Sequence, residues 1–261
     1  MTQKITVEKK GHILLIGLNR PEKRNAFDVD MYWDLAKAYG TLDSDDDLRC
    51  GVLFAHGDHF TGGLDLVQWV EPFSKGEYPK LPQDSKDPFG IDEDNRVSKP
   101  IVAAVQGICF TVGWELLLAT DIRVAATNLR LAQIEVKRGI YPVGGATVRL
   151  FEEIGWGNAM RYLLTGDEMN AQEAYRLGLV QELVEPGKQL QRAIEIAEVI
   201  EKQAPLGVRA ILRSARLSRV EGAKAALARL LPDLLPIMKS EDAQEGVRAF
   251  IERREANFKG K

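Results

Sequence analysis

Apolar residues appear first in short unbroken runs and later in helical stripes. "ITVEKK" (5–10) and "HILLIGL" (12–18), parted by Gly11, predict a hairpin of two strands. "CGVLFA" (50–55), "PIVAAV" (100–105) and "DIRVAA" (121–126) predict three more strands. Between them, Met31, Leu35, Ala38 and Leu42 recur every three or four positions and predict an amphipathic helix. A second helix should open near Val112, after a turn at Gly107. Strands interleaved with helices argue for an α/β class. From about residue 146 helical spacing takes over, at 147–154, 158–164, 171–177, 188–202, 206–218, 221–231 and 241–255. One short strand is expected within that stretch, at 178–184. The pattern divides the chain into a core over 1–190 and a helical C-terminal region over 191–261.

Residues 71–97 fit neither period, and Pro72, Pro79, Pro82 and Pro88 interrupt them. Such a stretch is either a functional lid or a mobile surface insertion. Composition adds only exclusions. Hydrophobic residues at 45% and charged residues at 28% describe an ordinary globular protein. A net charge of −3 leaves no footprint for nucleic acid, although "RPEKR" (20–24) is a local basic turn. The first residues lack the apolar core of a signal peptide, and no run is long enough to span a membrane. Cys50 and Cys109 are far apart and read as reduced core thiols of a cytoplasmic protein. His12, His56 and His59 show no metal-binding spacing, so no metal is expected.

The candidate chemistry lies in two glycine turns, each leading from a strand toward a helix: "HFTGGLDL" (59–66) and "GICFTVGWEL" (107–116). Amides at a helix start lack intrahelical partners, so two such turns can converge on one anionic oxygen. Thr111 is a candidate cap for the second helix. Glu115 stands inside its apolar run "VGWELLL" (112–118), where a buried carboxylate costs several kcal/mol unless it neutralises or finds partners. Glu115 either stabilises its own helix start or serves a site. Glu135 also ends an apolar segment before a glycine turn. Spacing alone does not bring the two together.

In these residues the chain resembles the crotonase, or enoyl-CoA hydratase/isomerase, superfamily. "LNRPEKRNAF" (18–27) is similar to its opening signature, and "FTGGLDL" (60–66) to its first oxyanion block. "KPIVAAVQGICFTVGWELLLATDIRVA" (99–125) and "LAQIEVKRGIYPVGGATVRL" (131–150) resemble its central blocks. "LTGDEMNAQEAYRLGLVQELV" (164–184) and the ending "SEDAQEGVRAFIERREANFKGK" (240–261) complete a match that runs nearly end to end.

The resemblance implies a spiral of ββα repeats with a helical C-terminal region, assembled as a homotrimer or a dimer of trimers. It implies an acyl-CoA substrate, with coenzyme A part of that substrate and no separate cofactor. The thioester oxygen would be held by the backbone amides of Leu64 and Val112. Glu115 would hold and activate the water that attacks C3, and Glu135 would protonate C2. Thr111, Val112, Gly113 and Trp114 depart from the family's glycine-rich pattern, and Val112 and Trp114 should reshape the acyl pocket. Gly62 and Gly113 fall with the substrate-binding residues. Ala26 would present backbone atoms to the adenine, while Lys23 and Arg24 either meet the phosphates or form a solvated turn. Lys259 would reach a neighbouring subunit's nucleotide. Asp65 falls in the substrate-binding block and should cap the helix after the first turn. Both glutamates favour an enoyl-CoA hydratase, a hydro-lyase. The alternatives are an enoyl-CoA isomerase, another acyl-CoA reaction of the family (hydrolase, decarboxylase or dehalogenase), or a binding protein without turnover.

Overall fold

The unbroken apolar runs become interior strands of a mostly parallel sheet. In the computed structural model, which describes residues 3–261, the first half runs β1 (Ile5–Lys10), β2 (Ile13–Leu18), α1 (Val29–Ser44), β3 (Cys50–Ala55) and α2 (Leu66–Ser74). It continues with β4 (Ile101–Val105), β5 (Ile108–Phe110), α3 (Val112–Leu118), β6 (Ile122–Ala126) and β7 (Arg130–Ala132). The second half holds α4 (Ala146–Ile154), α5 (Trp156–Thr165), β8 (Met169–Asn170), α6 (Ala171–Arg176) and β9 (Glu182–Val184). It ends with α7 (Gln189–Glu201), α8 (Pro205–Glu221), α9 (Ala223–Met238) and α10 (Glu241–Glu252).

The large sheet has the order β1-β2-β3-β4-β6-β9, with β1 antiparallel to β2 and the other pairs parallel. Parallel strands are covered on both faces, which is why they read as continuous apolar runs. Ile13, Leu15, Val52, Val102 and Val124 face Ala193, Ile194 and Ala197 of α7. Leu14, Ile16, Leu53, Ala103 and Val105 face the main core, with Met31, Leu35 and Leu42 of α1 and Leu116 and Leu117 of α3. Helix α7 spans the boundary near residue 190 and lies on the sheet.

A second sheet, β5-β7-β8, is extended by single parallel pairings of Thr61 with Cys109 and Phe27 with Leu64. The chain thus lays one strand in each sheet before its next helix: β3 then Thr61–Leu64, β4 then β5, β6 then β7. This is the expected α/β spiral of ββα units.

The structure differs from expectation over 71–97. The end of α2 takes residues through Ser74, and Asp87, Phe89 and Val97 are buried. The Asp87 carboxylate accepts from the amides of Phe89, Ile91 and Asp92, and Arg149 donates to the carbonyls of Phe89 and Gly90. Phe89 stacks on Tyr32 of α1 at 5.7 Å between ring centroids. Side chain–backbone bonds and one aromatic anchor hold this segment, so no repeating apolar face marks it in the sequence. The strand expected over 178–184 shortens to β9. Helices α8 and α9 pair around a groove of about 640 Å³, with none of α8 buried and only Ala226 of α9. Among the described residues, no helix is long and apolar enough to cross a membrane.

Candidate active site

The second sheet brings the two glycine turns side by side. Phe110 N–H donates to Thr61 O at 3.1 Å and Thr61 N–H donates to Ile108 O at 3.0 Å. Gly63 has φ 111, and a side chain there would collide with Thr111 Oγ1, so glycine lets the turns touch. In the first turn Phe27 N–H donates to Gly63 O and Asp65 N–H donates to Phe27 O. That pairing turns the Leu64 amide to the opposite side, where it has no acceptor among the described residues. Val112 opens α3, so its amide precedes the helix's own acceptors and is likewise free.

The same sheet delivers both carboxylates. Parallel register pairs Phe110 with Ala132, and Thr111 N–H donates to Ala132 O at 2.8 Å. Glu115 and Glu135 therefore follow from neighbouring strand ends, the first through α3 and the second through a 3-10 turn. Glu115 is 1% exposed, and its Oε1 accepts from the Ala146 amide at the start of α4 at 3.0 Å. Burial raises its pKa to about 7, against the opposing amides of Ala146 and Gly144 and the cation of Arg149. A Cβ on Gly144 would stand 2.6 Å from Glu115 Oε2, so only glycine leaves room for this carboxylate.

Glu135 opens a 3-10 turn and is also buried. Its pKa is raised to about 7, first by burial and further by the charge of Glu115. That coupling places the two carboxyl groups in one electrostatic neighbourhood, where ionisation of one opposes ionisation of the other. With its amide nitrogen turned toward Glu135, buried Gln133 donates to both carboxyl oxygens, at 3.0 and 2.9 Å. Together these groups offer two free amides for an oxyanion and two carboxyls able to exchange protons near neutrality. A cavity of about 430 Å³ is lined by Tyr141, Val143 and Gly145, from the loop that holds Glu115, but neither glutamate lines it.

Comparison with known proteins places the chain in a family. The model of the enoyl-CoA hydratase/isomerase family matches residues 8–261. The chain belongs to the enoyl-CoA hydratase/isomerase family. Enoyl-CoA hydratase EchA19 of Mycobacterium tuberculosis is 38% identical, covering 98% of this chain and 96% of that protein. Mevalonyl-coenzyme A hydratase sidH of Aspergillus fumigatus is 33% identical over 95% of this chain and 92% of its own length. The crystal structure of a probable enoyl-CoA hydratase/isomerase from Mycobacterium abscessus superposes with a TM-score of 0.95 at 46% identity, covering 99% of both chains.

Within this hydratase/isomerase fold, several sequence expectations change. Asp65 occupies the N-cap position of α2 but makes no capping bond, because the Arg20 guanidinium takes its carboxylate at 3.1 Å. Thr111 does not cap α3 either: at φ 52 and ψ −119 its hydroxyl finds no helix amide. Trp114 is 0% exposed and packs edge-on to Tyr162 of α5, so it is part of the core. Lys23 and Arg24 are exposed in the turn beside Gly62, whose amide donates to Arg24 O. The Ala26 carbonyl is occupied by Arg20 Nη1, at 2.9 Å. Gly113 is buried in the first turn of α3. Lys259 lies apart, in the C-terminal tail, where its amide meets Asp242.

Three supporting residues escaped the sequence reading. Asn25 is fully buried at φ 52, accepts from Arg20 N–H and donates to the carbonyls of His56 and His59. It fastens the "RPEKR" turn to the first glycine turn, and an asparagine between a basic turn and an apolar residue was its only signal. Gln133, two residues before Glu135, is the second. The third, Tyr78, whose hydroxyl donates to the Val143 carbonyl at 2.8 Å, had no signal in a segment without period.

Proposed function

We propose that this chain hydrates a 2-enoyl-CoA thioester to a 3-hydroxyacyl-CoA. The reading is supported by two buried carboxyls that act on each other, Glu115 and Glu135, together with the free amides of Leu64 and Val112 on two adjoining glycine turns. Glu115 in its ionised form accepts a proton from water as the water oxygen bonds to C3. The electron pair of the double bond moves toward C2 and the thioester oxygen, and the two amides hold that oxygen. Protonated Glu135 then delivers its proton to C2. One ionised and one protonated carboxyl is the combination that mutual repulsion favours near neutral pH. Each amide is worth roughly 2.7–4 kcal/mol in comparable oxyanion sites, and each acid or base about 10²–10⁴-fold. Both hydratases compared above carry out reactions of this class by name.

The exposed leucines of α9, among them Leu227, Leu231 and Leu235, support a homotrimer or dimer of trimers built on the C-terminal helices. In that assembly Lys259 would face a neighbouring subunit's nucleotide, with Lys23 and Arg24 at the phosphates. The unbridged buried thiols of Cys50 and Cys109 fit a reducing, cytoplasmic setting. A panel of 2-enoyl- and 3-enoyl-CoA thioesters, assayed for hydration and isomerisation, tests the function. Hydration lost at least a hundredfold in Glu115→Gln and in Glu135→Gln is expected. Isomerisation without hydration by the unaltered protein would replace this reading.

A further inference from the structure

The cavity of about 430 Å³ next to the loop that holds Glu115 has walls of mixed character. Its charged lining is four guanidinium groups, Arg96, Arg149, Arg216 and Arg219, against two carboxylates, Glu93 and Glu152. Ile91, Val148 and Val220 add apolar surface, and the volume suits a small-molecule site. The cavity adjoins the candidate active site through the chain itself. Val143 and Gly145 line it, and the next residue, Ala146, donates its amide to Glu115 Oε1 at 3.0 Å. Neighbouring Cα atoms are about 3.8 Å apart, so the cavity wall begins within one residue of the group that holds Glu115. We propose that this cavity receives the far end of the acyl group, and that the substrates are 2-enoyl-CoA thioesters whose acyl chain ends in a carboxylate, with Arg149 and Arg219 setting that specificity.

Arg149, on α4, is buried and pairs with no carboxylate among the described residues. Its terminal nitrogens donate to the carbonyls of Phe89 and Gly90, which leaves Nε and a second proton on each nitrogen for a further acceptor. Of the other three arginines, Arg96 pairs with Glu93 at 3.3 Å and Arg219 with Glu152, while Arg216 reaches Asp121 at 3.2 Å. The lining therefore carries more positive than negative charge. Burial, and then the charge of Arg216, lower the Arg96 pKa to about 10, in keeping with that excess. A methyl-ended chain in this cavity would strip water from guanidinium groups and return no hydrogen bond. A carboxylate returns charge-assisted bonds of the kind the planar guanidinium suits best. The apolar walls fit the methylenes leading to it, which a coenzyme A phosphate does not possess.

The inference rests on the hydratase reading, so the test separates binding from turnover. Saturated thioesters bind without reacting. Glutaryl-, adipoyl- and suberoyl-CoA are compared by isothermal titration calorimetry with the methyl-ended acyl-CoA of equal carbon number. At the length that spans from Glu115 to the arginines, the carboxylate-ended thioester is expected to bind at least about tenfold tighter. Removing Arg149 would also release Phe89 and Gly90, so the variants are made at the rim, where Arg219 and Glu152 are both more than a third exposed. Arg219→Gln should lower the ratio of the two affinities about three- to tenfold, and Glu152→Gln, which removes a negative wall, should raise it. Equal binding of the two thioesters at every length overturns the inference. A ratio that neither variant moves overturns it too, including the case in which Arg219→Gln weakens both alike, because the cavity would then be meeting the phosphates common to both. Hydration of the matching 2-enoyl pairs is measured in parallel. Selective binding without hydration leaves the cavity's specificity standing and sinks the functional reading alone, hydration without selectivity does the reverse, and no binding of any thioester sinks both.

Discussion

Glu115→Gln should make the protein worse as a catalyst and better as a fold, and the second effect should depend on pH. The substitution keeps the shape of the side chain and removes its ability to ionise. Burial raises the Glu115 pKa from 4.5 to about 7. Each unit corresponds to about 1.36 kcal/mol, so holding this carboxylate ionised inside the fold costs up to about 3 kcal/mol at alkaline pH. Glutamine keeps an oxygen for the Ala146 amide but turns an NH₂ toward the Gly144 side, which returns roughly 1 kcal/mol. The net gain is about 2 kcal/mol, or about 4–8 °C in Tm for a chain of this size.

The sign follows from proton binding. Between its ordinary value and about 7 the folded state holds the Glu115 proton more tightly than the unfolded chain does. The stability contributed by this group is complete below about pH 4.5 and is lost as pH rises through about 7. Glu115→Gln should therefore be less stable than the unaltered protein by about 1 kcal/mol at low pH, where only the cost of the amide remains, and more stable by about 2 kcal/mol at pH 8.5. Thermal unfolding of both proteins at those two pH values measures it, alongside hydration of a short 2-enoyl-CoA. A Tm difference that stays constant with pH, or that favours the unaltered protein at pH 8.5, would falsify the argument that burial dominates this carboxylate.

Other expectations are local. Gly144→Ala puts a methyl 2.6 Å from Glu115 Oε2, so hydration should drop at least about tenfold and stability by roughly 1–3 kcal/mol, read by kinetics and denaturant titration. Thr111→Gly releases a β-branched residue from φ 52, so Tm should rise by about 2–4 °C in a melting scan. A fall in Tm would mean that the threonine side chain contributes more packing than strain. Asn25→Ala strips the buried link between Arg20, His56 and His59 and should cost about 3 kcal/mol, with Tm down by roughly 6–12 °C.

The parts of the fold legible in the sequence are those where burial repeats. The runs at β2, β3 and β4 stand out because both faces of the sheet are covered, and α1 because Met31, Leu35 and Leu42 share one stripe. Helix α2 was expected only as a helix after the first glycine turn, and its extent was not legible because Leu66, Val67 and Val70 are exposed and Pro72 lies inside it. β5, β7 and β8 are only two or three residues long, too short for any period. Yet β5 and β7 matter to the candidate site, since Glu115 and Glu135 follow their paired ends. Long-range pairing of such short strands leaves no local trace. Asn25, Gln133 and Tyr78 are hidden for a related reason: each works through one specific bond to a neighbour distant in sequence or off any stripe.

Glu115 and Trp114 are adjacent and both buried, yet they stand in the core for opposite reasons. The difference is the cost of burial. A large aromatic gains free energy when covered, and its indole N–H without an acceptor forfeits only about 1–3 kcal/mol of that gain. Packing against Tyr162 therefore accounts for Trp114 with no ligand at all. A carboxylate gains nothing from being covered. The fold keeps Glu115 only by aiming the amide of Ala146 at it, by leaving Gly144 without a side chain beside it and by tolerating a raised pKa. A residue whose burial opposes stability, with the surrounding backbone arranged to accommodate it, is where a sequence departs from the requirements of folding in favour of chemistry.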